Sequence, residues 1–176
     1  VHYGPHERHV LDIFTNSAEG ANKPVVIFVH GGGFRGGSKS AEGSPFYDNL
    51  MNWAVDEGMV GVNIHYRLAP EFQWPAGIED LSSMVNWVKD NIANYGGDPQ
   101  NIFLWGHSAG AAHVGDYLAW QVNHNQEDHV AGAILTSGFY VLGPDVSIWA
   151  SYYGEDLAQY PERSSLPGLL RSTTPL

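Results

Sequence analysis

The sequence predicts an α/β fold: a mostly parallel sheet with helices on both faces. Two observations carry this. Continuous β-branched and aromatic runs, typical of strands covered on both sides, alternate along the chain with stretches of helical periodicity. Two of these runs end abruptly in glycine-rich turns, His30-Gly31-Gly32-Gly33-Phe34 and Gly106-His107-Ser108-Ala109-Gly110.

Arg8 to Phe14 reads as a short strand, followed by a turn region from Asn16 to Lys23. Val25-Val26-Ile27-Phe28-Val29 reads as a buried strand ending at the first glycine cluster. Pro45 to Glu57 is predicted helical, with Phe46, Leu50, Trp53 and Ala54 on one face and Gly58 as its stop. Met59 to Ile64 is a further strand, and Ala69 to Pro75 a loop punctuated by two prolines. Ile78, Leu81, Val85, Val88 and Ile92 recur at three- and four-residue steps, the strongest helical pattern in the chain. Tyr95 to Pro99 reads as a turn and Ile102 to Trp105 as a short buried strand. A helix of small residues then runs to about Val122, and Val130 to Leu135 is the next strand. From Gly138 to Pro167 the pattern weakens and aromatics accumulate: Phe139, Tyr140, Trp149, Tyr152, Tyr153 and Tyr160. That stretch begins where a strand's carboxyl end is expected, the functional edge of an open parallel sheet.

Composition narrows the classes. The 176 residues suit one domain with a sizeable core, and 43% apolar against 15% charged residues describes a globular chain. The net charge of −11 repels phosphate backbones and anionic lipid heads, so nucleic acid and anionic membrane surfaces are not expected partners. With no cysteine, the chain forms no disulfide and no thiolate-based zinc site. No apolar run reaches the length of a membrane span, and no basic-then-apolar leader opens the chain, whose first residue is Val1. The cytoplasm is the favoured compartment, with secretion the alternative if a leader has been removed.

Gly106-His107-Ser108-Ala109-Gly110 fits G-x-S-x-G, with a β run directly before it and a helical run directly after. In that context the serine sits on a tight, strained strand-to-helix turn that holds its hydroxyl out at the top of the sheet. Glycines at 106 and 110 keep a Cβ from crowding strand and helix. The amides that follow lie at a helix N-terminus, where the dipole favours developing negative charge. A serine N-cap ahead of a small-residue helix is the plainer alternative. Gly31-Gly32-Gly33 leaves backbone N–H groups unscreened, as an oxyanion hole requires; a flexible turn or a phosphate loop has the same composition. Gly37-Ser38-Lys39-Ser40 imitates the end of a P-loop but lacks its strand–loop–helix setting.

These motifs, with Tyr66-Arg67-Leu68-Ala69-Pro70-Glu71 and Gly96-Gly97-Asp98-Pro99 between them, stand in the order seen in α/β-hydrolase carboxylesterases, and the chain resembles their hormone-sensitive-lipase-like and feruloyl-esterase-like branches. The resemblance runs from about residue 5 to the end. It implies the α/β-hydrolase fold and a serine esterase acting through an acyl-enzyme on small acyl or aryl esters, without metal or organic cofactor. Ser108 would be the nucleophile, with the backbone N–H groups of Gly32, Gly33 and Ala109 as oxyanion donors. His30 would brace the glycine loop, Tyr66 to Glu71 would be a structural turn near the site, and Asp98-Pro99 would feed the nucleophile strand. An arylformamidase-like amidase would use the same elbow. A non-catalytic hydrolase-fold binding protein is the reading from another class.

The triad order in this fold is Ser, then Asp or Glu, then His. The 68 residues after Ser108 (176 − 108) stop at a segment, Ser172 to Leu176, that resembles the entry into the acid-bearing strand. The expectation is therefore that residues 1–176 form the N-terminal and central part of one domain. Acid and histidine would lie on a further roughly 80 to 120 residues, as a cleaved C-terminal partner or a continuation. Among the residues in hand, His107 should point into the elbow and His113 to another side of its helix. His124 and His129 flank a solvated loop, and Asp145 and Glu155 come too early for the acid. His2, His6 and His9 read as exposed, unpaired side chains and not as metal ligands.

Overall fold

The computed structural model describes residues 1–16 and 21–176, with side chains throughout that range except at 146–148. Of the turn expected between Asn16 and Lys23, positions 17–20 lie outside the described residues, and Lys23 already opens a strand. Five strands, β1 (Leu11–Phe14), β2 (Lys23–Val29), β3 (Val60–Ile64), β4 (Gly97–His107) and β5 (Gly132–Thr136), form one sheet in the order β1-β3-β2-β4-β5. β1 runs antiparallel to β3, and every other pair is parallel. The helices are α1 (Asp48–Asp56), α2 (Ala76–Asn91), α3 (Ala109–Asn123), α4 (Val146–Tyr153) and two single turns, α5 (Tyr160–Arg163) and α6 (Leu166–Leu169).

The alternation of β2 divides the core. Val25, Ile27 and Val29 are fully buried against the face covered by α2 and α3, in a cluster with Leu81, Val85, Val88 and Val114. Val26 and Phe28 point the other way, onto Met51 of α1. Helices thus lie on both faces, as expected for parallel crossovers. The five-residue apolar repeat predicted for α2 is buried throughout.

Two elements differ from expectation. In α1 the buried residues are Met51 and Ala54, whereas Phe46 and Trp53 are 60% and 49% exposed. The helix begins only at Asp48, which leaves Phe46 outside it and turns the inward stripe away from Trp53. β4 starts at Gly97, so Asp98-Pro99 lies inside the strand and not in a turn. Lys23 pairs with Gly97 there before a register shift brings Val25 opposite Ile102. The turn itself is one step earlier, in a 3-10 segment at Ile92–Tyr95 closed by left-handed Gly96.

A buried ionic knot fixes the N-terminal segment. Asp80 of α2, with no exposure, accepts Arg67 N and Arg67 Nε, both at 2.7 Å, and lies 2.9 Å from His9 Nε2. His9 is therefore buried and paired, contrary to its expected exposure; His6 packs edge-on against Phe72, and His2 is exposed. At the other end of the chain, Ala133 N of β5 donates to Pro175 O at 2.9 Å, so the last residues run beside β5. No helix among the described residues is long and apolar enough to cross a membrane.

α3 is buried on nearly every side and carries one internal carboxyl, Asp116. Burial pushes its pKa up to about 7, against the pull of the Tyr153 hydroxyl, which donates to it at 2.7 Å. An acid that holds its proton more tightly folded than unfolded stabilises fully below about pH 4, and that stabilisation is lost as pH rises through about 7. Asp116→Asn removes this term. In urea titrations from pH 5 to pH 8, the variant's stability relative to wild type should rise by about 2–3 kcal/mol. Parallel stability curves would show that Asp116 does not titrate in this range.

Candidate active site

From β2 the chain crosses to β3 on one side and returns through α2 to β4 on the other, so β2 and β4 flank the topological switch point. Ligands gather outside the carboxyl ends of strands at such a point. Val29 pairs with Gly106, and the glycine loop after β2 and the turn after β4 leave the sheet side by side.

Ser108 has φ 54° and ψ −119°, a conformation that costs a non-glycine residue about 1–3 kcal/mol. Its N–H donates to Thr136 O at 2.9 Å, and its carbonyl accepts Ala112 N at 3.1 Å. The flanking glycines are needed for space. A Cβ at Gly106 would sit 2.5 Å from Ala111 Cα, and one at Gly110 would sit 2.1 Å from Val29 O and 2.6 Å from His30 O. Helix α3 therefore rests on the backbone of β2. It starts at Ala109, whose N–H belongs to a first turn without intrahelical acceptors.

The glycine loop reaches the same place. A Cβ at Gly31 would lie 3.1 Å from Ser108 Cβ and 3.1 Å from His107 Nδ1. Gly32, Gly33 and Phe34 follow with φ of 132°, 59° and 65°, the first two exposed and Phe34 buried. Gly31 thus meets Ser108 at one end of β2 and β4, and Gly32 and Gly33 follow it in the loop. Beneath them, His30 Nδ1–H donates to Gly31 O at 2.6 Å, its ring stacks on Tyr66 at 4.3 Å, and the Tyr66 hydroxyl donates to His30 O at 2.7 Å. Burial lowers the His30 pKa to about 4, so it is neutral at pH 7 and braces the loop without acting as a base. The turn from Tyr66 to Glu71 adds a second tie, from Ala69 N to Phe34 O at 2.9 Å.

Among the described residues none of the nine histidines hydrogen-bonds the Ser108 hydroxyl. The buried Nδ1 of His107 faces Gly31 of the glycine loop. His107 also lines a cleft of about 410 Å³ with Phe28, Tyr47, Leu50, Trp105 and Thr136. His113 is fully buried among Phe34, Tyr66 and Tyr152, and burial lowers its pKa to about 3. His124 stacks on Trp120 and lies 2.8 Å from its carbonyl. His129 pairs with Glu127 at 3.4 Å, and Asp145 and Glu155 are exposed. Lys39 of the P-loop-like segment pairs with Asp12, and Ser38 lies 2.9 Å from His65. Among the described residues no group of three or more metal-ligating side chains converges.

Sequence reasoning missed Asp116 and the aromatic box around Phe34. An Asp inside a helix with no polar face was the available signal for the first. The box joins residues more than a hundred positions apart, which no periodicity reveals.

Comparison with known proteins places the chain among esterases. The BD-FAE family model matches residues 11–141. Esterase LipQ of Mycobacterium tuberculosis is 36% identical over 157 residues, covering 88% of this chain and 34% of that protein. Carboxylesterase NlhH of the same organism is 42% identical over 90 residues, or 51% of this chain and 27% of its own length. Among solved structures, a hyperthermophilic esterase from the archaeon Pyrobaculum calidifontis aligns with TM-score 0.61 and 28% identity, over 81% of this chain and 48% of the other. The chain thus spans between about a quarter and a half of the length of these relatives.

Two glycines of the site should respond differently to substitution. Gly110→Ala forces a Cβ into the β2 carbonyls and should cost more than about 4 kcal/mol or prevent folding. Gly33→Ala meets no atom within 4 Å and should cost only about 1 kcal/mol, from its positive φ. Chemical denaturation followed by circular dichroism checks both; equal losses would contradict the packing described.

Proposed function

Because the chain belongs to the BD-FAE family of α/β-hydrolase esterases, we propose that the complete protein is a serine carboxylesterase that hydrolyses small acyl or aryl esters through an acyl-enzyme, with Ser108 as nucleophile. The observation that carries this is the strained Ser108 turn packed against the glycine loop at the switch point. Ser108 Oγ attacks the ester carbonyl carbon. Its proton passes to a histidine base and then to the leaving alcohol as the tetrahedral intermediate collapses. Water, deprotonated by the same base, cleaves the acyl-enzyme and releases the acid. The N–H groups of Gly32, Gly33 and Ala109 donate to the oxyanion, which develops beside the N-terminus of α3.

No described histidine hydrogen-bonds the Ser108 hydroxyl, and the chain spans 34% of the LipQ length, so the base and its orienting acid are assigned to the part of the relatives' length that the chain does not cover. The flank of β5 has room for such a segment: Ala133 N bonds Pro175 O there, Ile134 is 51% exposed, and Trp105 and His107 line an adjacent cleft. An added strand there would cover an exposed sheet edge.

A fluorophosphonate probe and an aryl acetate test the reading in the complete polypeptide. The probe should label Ser108, and Ser108→Ala should abolish labelling and lower kcat by at least about 10⁴-fold. Undiminished turnover in Ser108→Ala, or labelling at another residue, would overturn it. The 176-residue chain alone should turn over far more slowly than the complete polypeptide.

A further inference from the structure

The proposed oxyanion donors stand directly before a buried side chain, Phe34. Gly32 and Gly33 are exposed, as are Arg35 and Gly37, whereas Phe34 between them is 1% exposed. Phe34 also holds a left-handed backbone, φ 65°, which costs an L residue about 1–2 kcal/mol. What sustains that conformation is the pocket its ring occupies. Tyr152 of α4 stacks on it at 4.7 Å with planes 9° apart, and Tyr153 meets it edge-on at 5.5 Å. Phe139 and His113 complete the box at 5.7 and 5.1 Å.

The two tyrosines are themselves fixed from different directions. Gly77 N donates to the Tyr152 hydroxyl at 2.9 Å, and Trp74 N donates to the Tyr152 carbonyl at 2.8 Å. The Tyr153 hydroxyl donates to Asp116 on α3, two turns beyond the nucleophile. Asp116 and Tyr153 therefore link the helix that carries Ser108 to the side chain that anchors the glycine loop. Both tyrosines are about 1% exposed.

We infer that Tyr152 and Tyr153 are positioning residues for the oxyanion hole: by clamping Phe34 they set the Gly32 and Gly33 amides relative to Ser108. The inference rests on the esterase reading above for its catalytic consequence, but its structural half stands apart from it. A displacement of donors by a fraction of an ångström weakens the intermediate more than the bound ester, so the effect falls on kcat and not on KM.

The test compares Tyr152→Leu, Tyr152→Phe and Tyr153→Phe in the complete polypeptide, using aryl acetate kinetics and hydrogen exchange of the peptide spanning residues 30–37. Tyr152→Leu removes the stacked ring; it should speed exchange in that peptide, leave β2 and β4 protected, and lower kcat about 10- to 100-fold with KM within threefold. Tyr152→Phe keeps the ring and should recover most of the lost kcat. Tyr153→Phe loses only the Asp116 bond and should fall between. Unchanged exchange at residues 30–37 in a folded Tyr152→Leu would overturn the inference, as would loosened exchange with full kcat, or equal damage from Phe and Leu at 152. Should Tyr152→Leu fail to fold, the Tyr153→Phe variant decides by the same two readouts. A wild-type protein without ester turnover would refute the esterase reading, while the exchange data would still decide whether the tyrosines hold the loop.

Discussion

The contact of Gly110 with the carbonyls of Val29 and His30 governs the geometry of this molecule. It lets the helix after β4 rest on the backbone of β2, and it is possible only because those strands are neighbours with Val29 opposite Gly106. From that one close approach follow the tight turn at Ser108, the proximity of Gly31 to the serine Cβ, and the placement of a helix N-terminus beside the loop amides. A methyl group at position 110 would separate strand and helix and with them the two halves of the site.

Around this centre the structure spends polar groups on rigidity. His30 is a neutral hydrogen-bond donor stacked on Tyr66, not a titrating base. Arg67 and Asp80 neutralise each other below the 66–71 turn, an arrangement whose disruption leaves an uncompensated charge. Asp116 differs: no cation bonds it among the described residues, and the Tyr153 hydroxyl is its short partner. Each group holds a loop that the backbone alone would leave free.

How much of this is legible in the sequence depends on range. The β2 run, the α2 periodicity and the G-x-S-x-G turn are local, and each lies where its pattern indicates. Gly106 and Gly110 meet the obstacles that their motif implies. The start of β4 at Gly97 was hidden because Asp98-Pro99 reads as a turn, while pairing with Lys23 extends the strand through it. His9 looked like a terminal histidine because its partner, Asp80, is 71 residues away. Of the inward face expected for α1, Ala54 is buried, but the exposed aromatics Phe46 and Trp53 read as inward in place of the buried Met51. The box about Phe34 was invisible for the same reason as the His9 pair: its members come from four distant segments.

The packing of Gly110 on β2 also has a meaning for how the chain acquires its site. Strand β2 ends at Val29 and β4 at His107, so the pairing closes a long loop that includes a whole strand and two helices. Non-local parallel pairing of this kind is slow compared with helix formation. The strained turn at Ser108 lacks its β2 abutment until that pairing is made. Helices α2 and α3 can form early and still leave the Ser108 turn without its β2 abutment. The Ser108 turn is in this sense a report on the completion of the central sheet, and a chain arrested with its helices formed but β2 unpaired would lack the geometry on which the proposed reactivity depends.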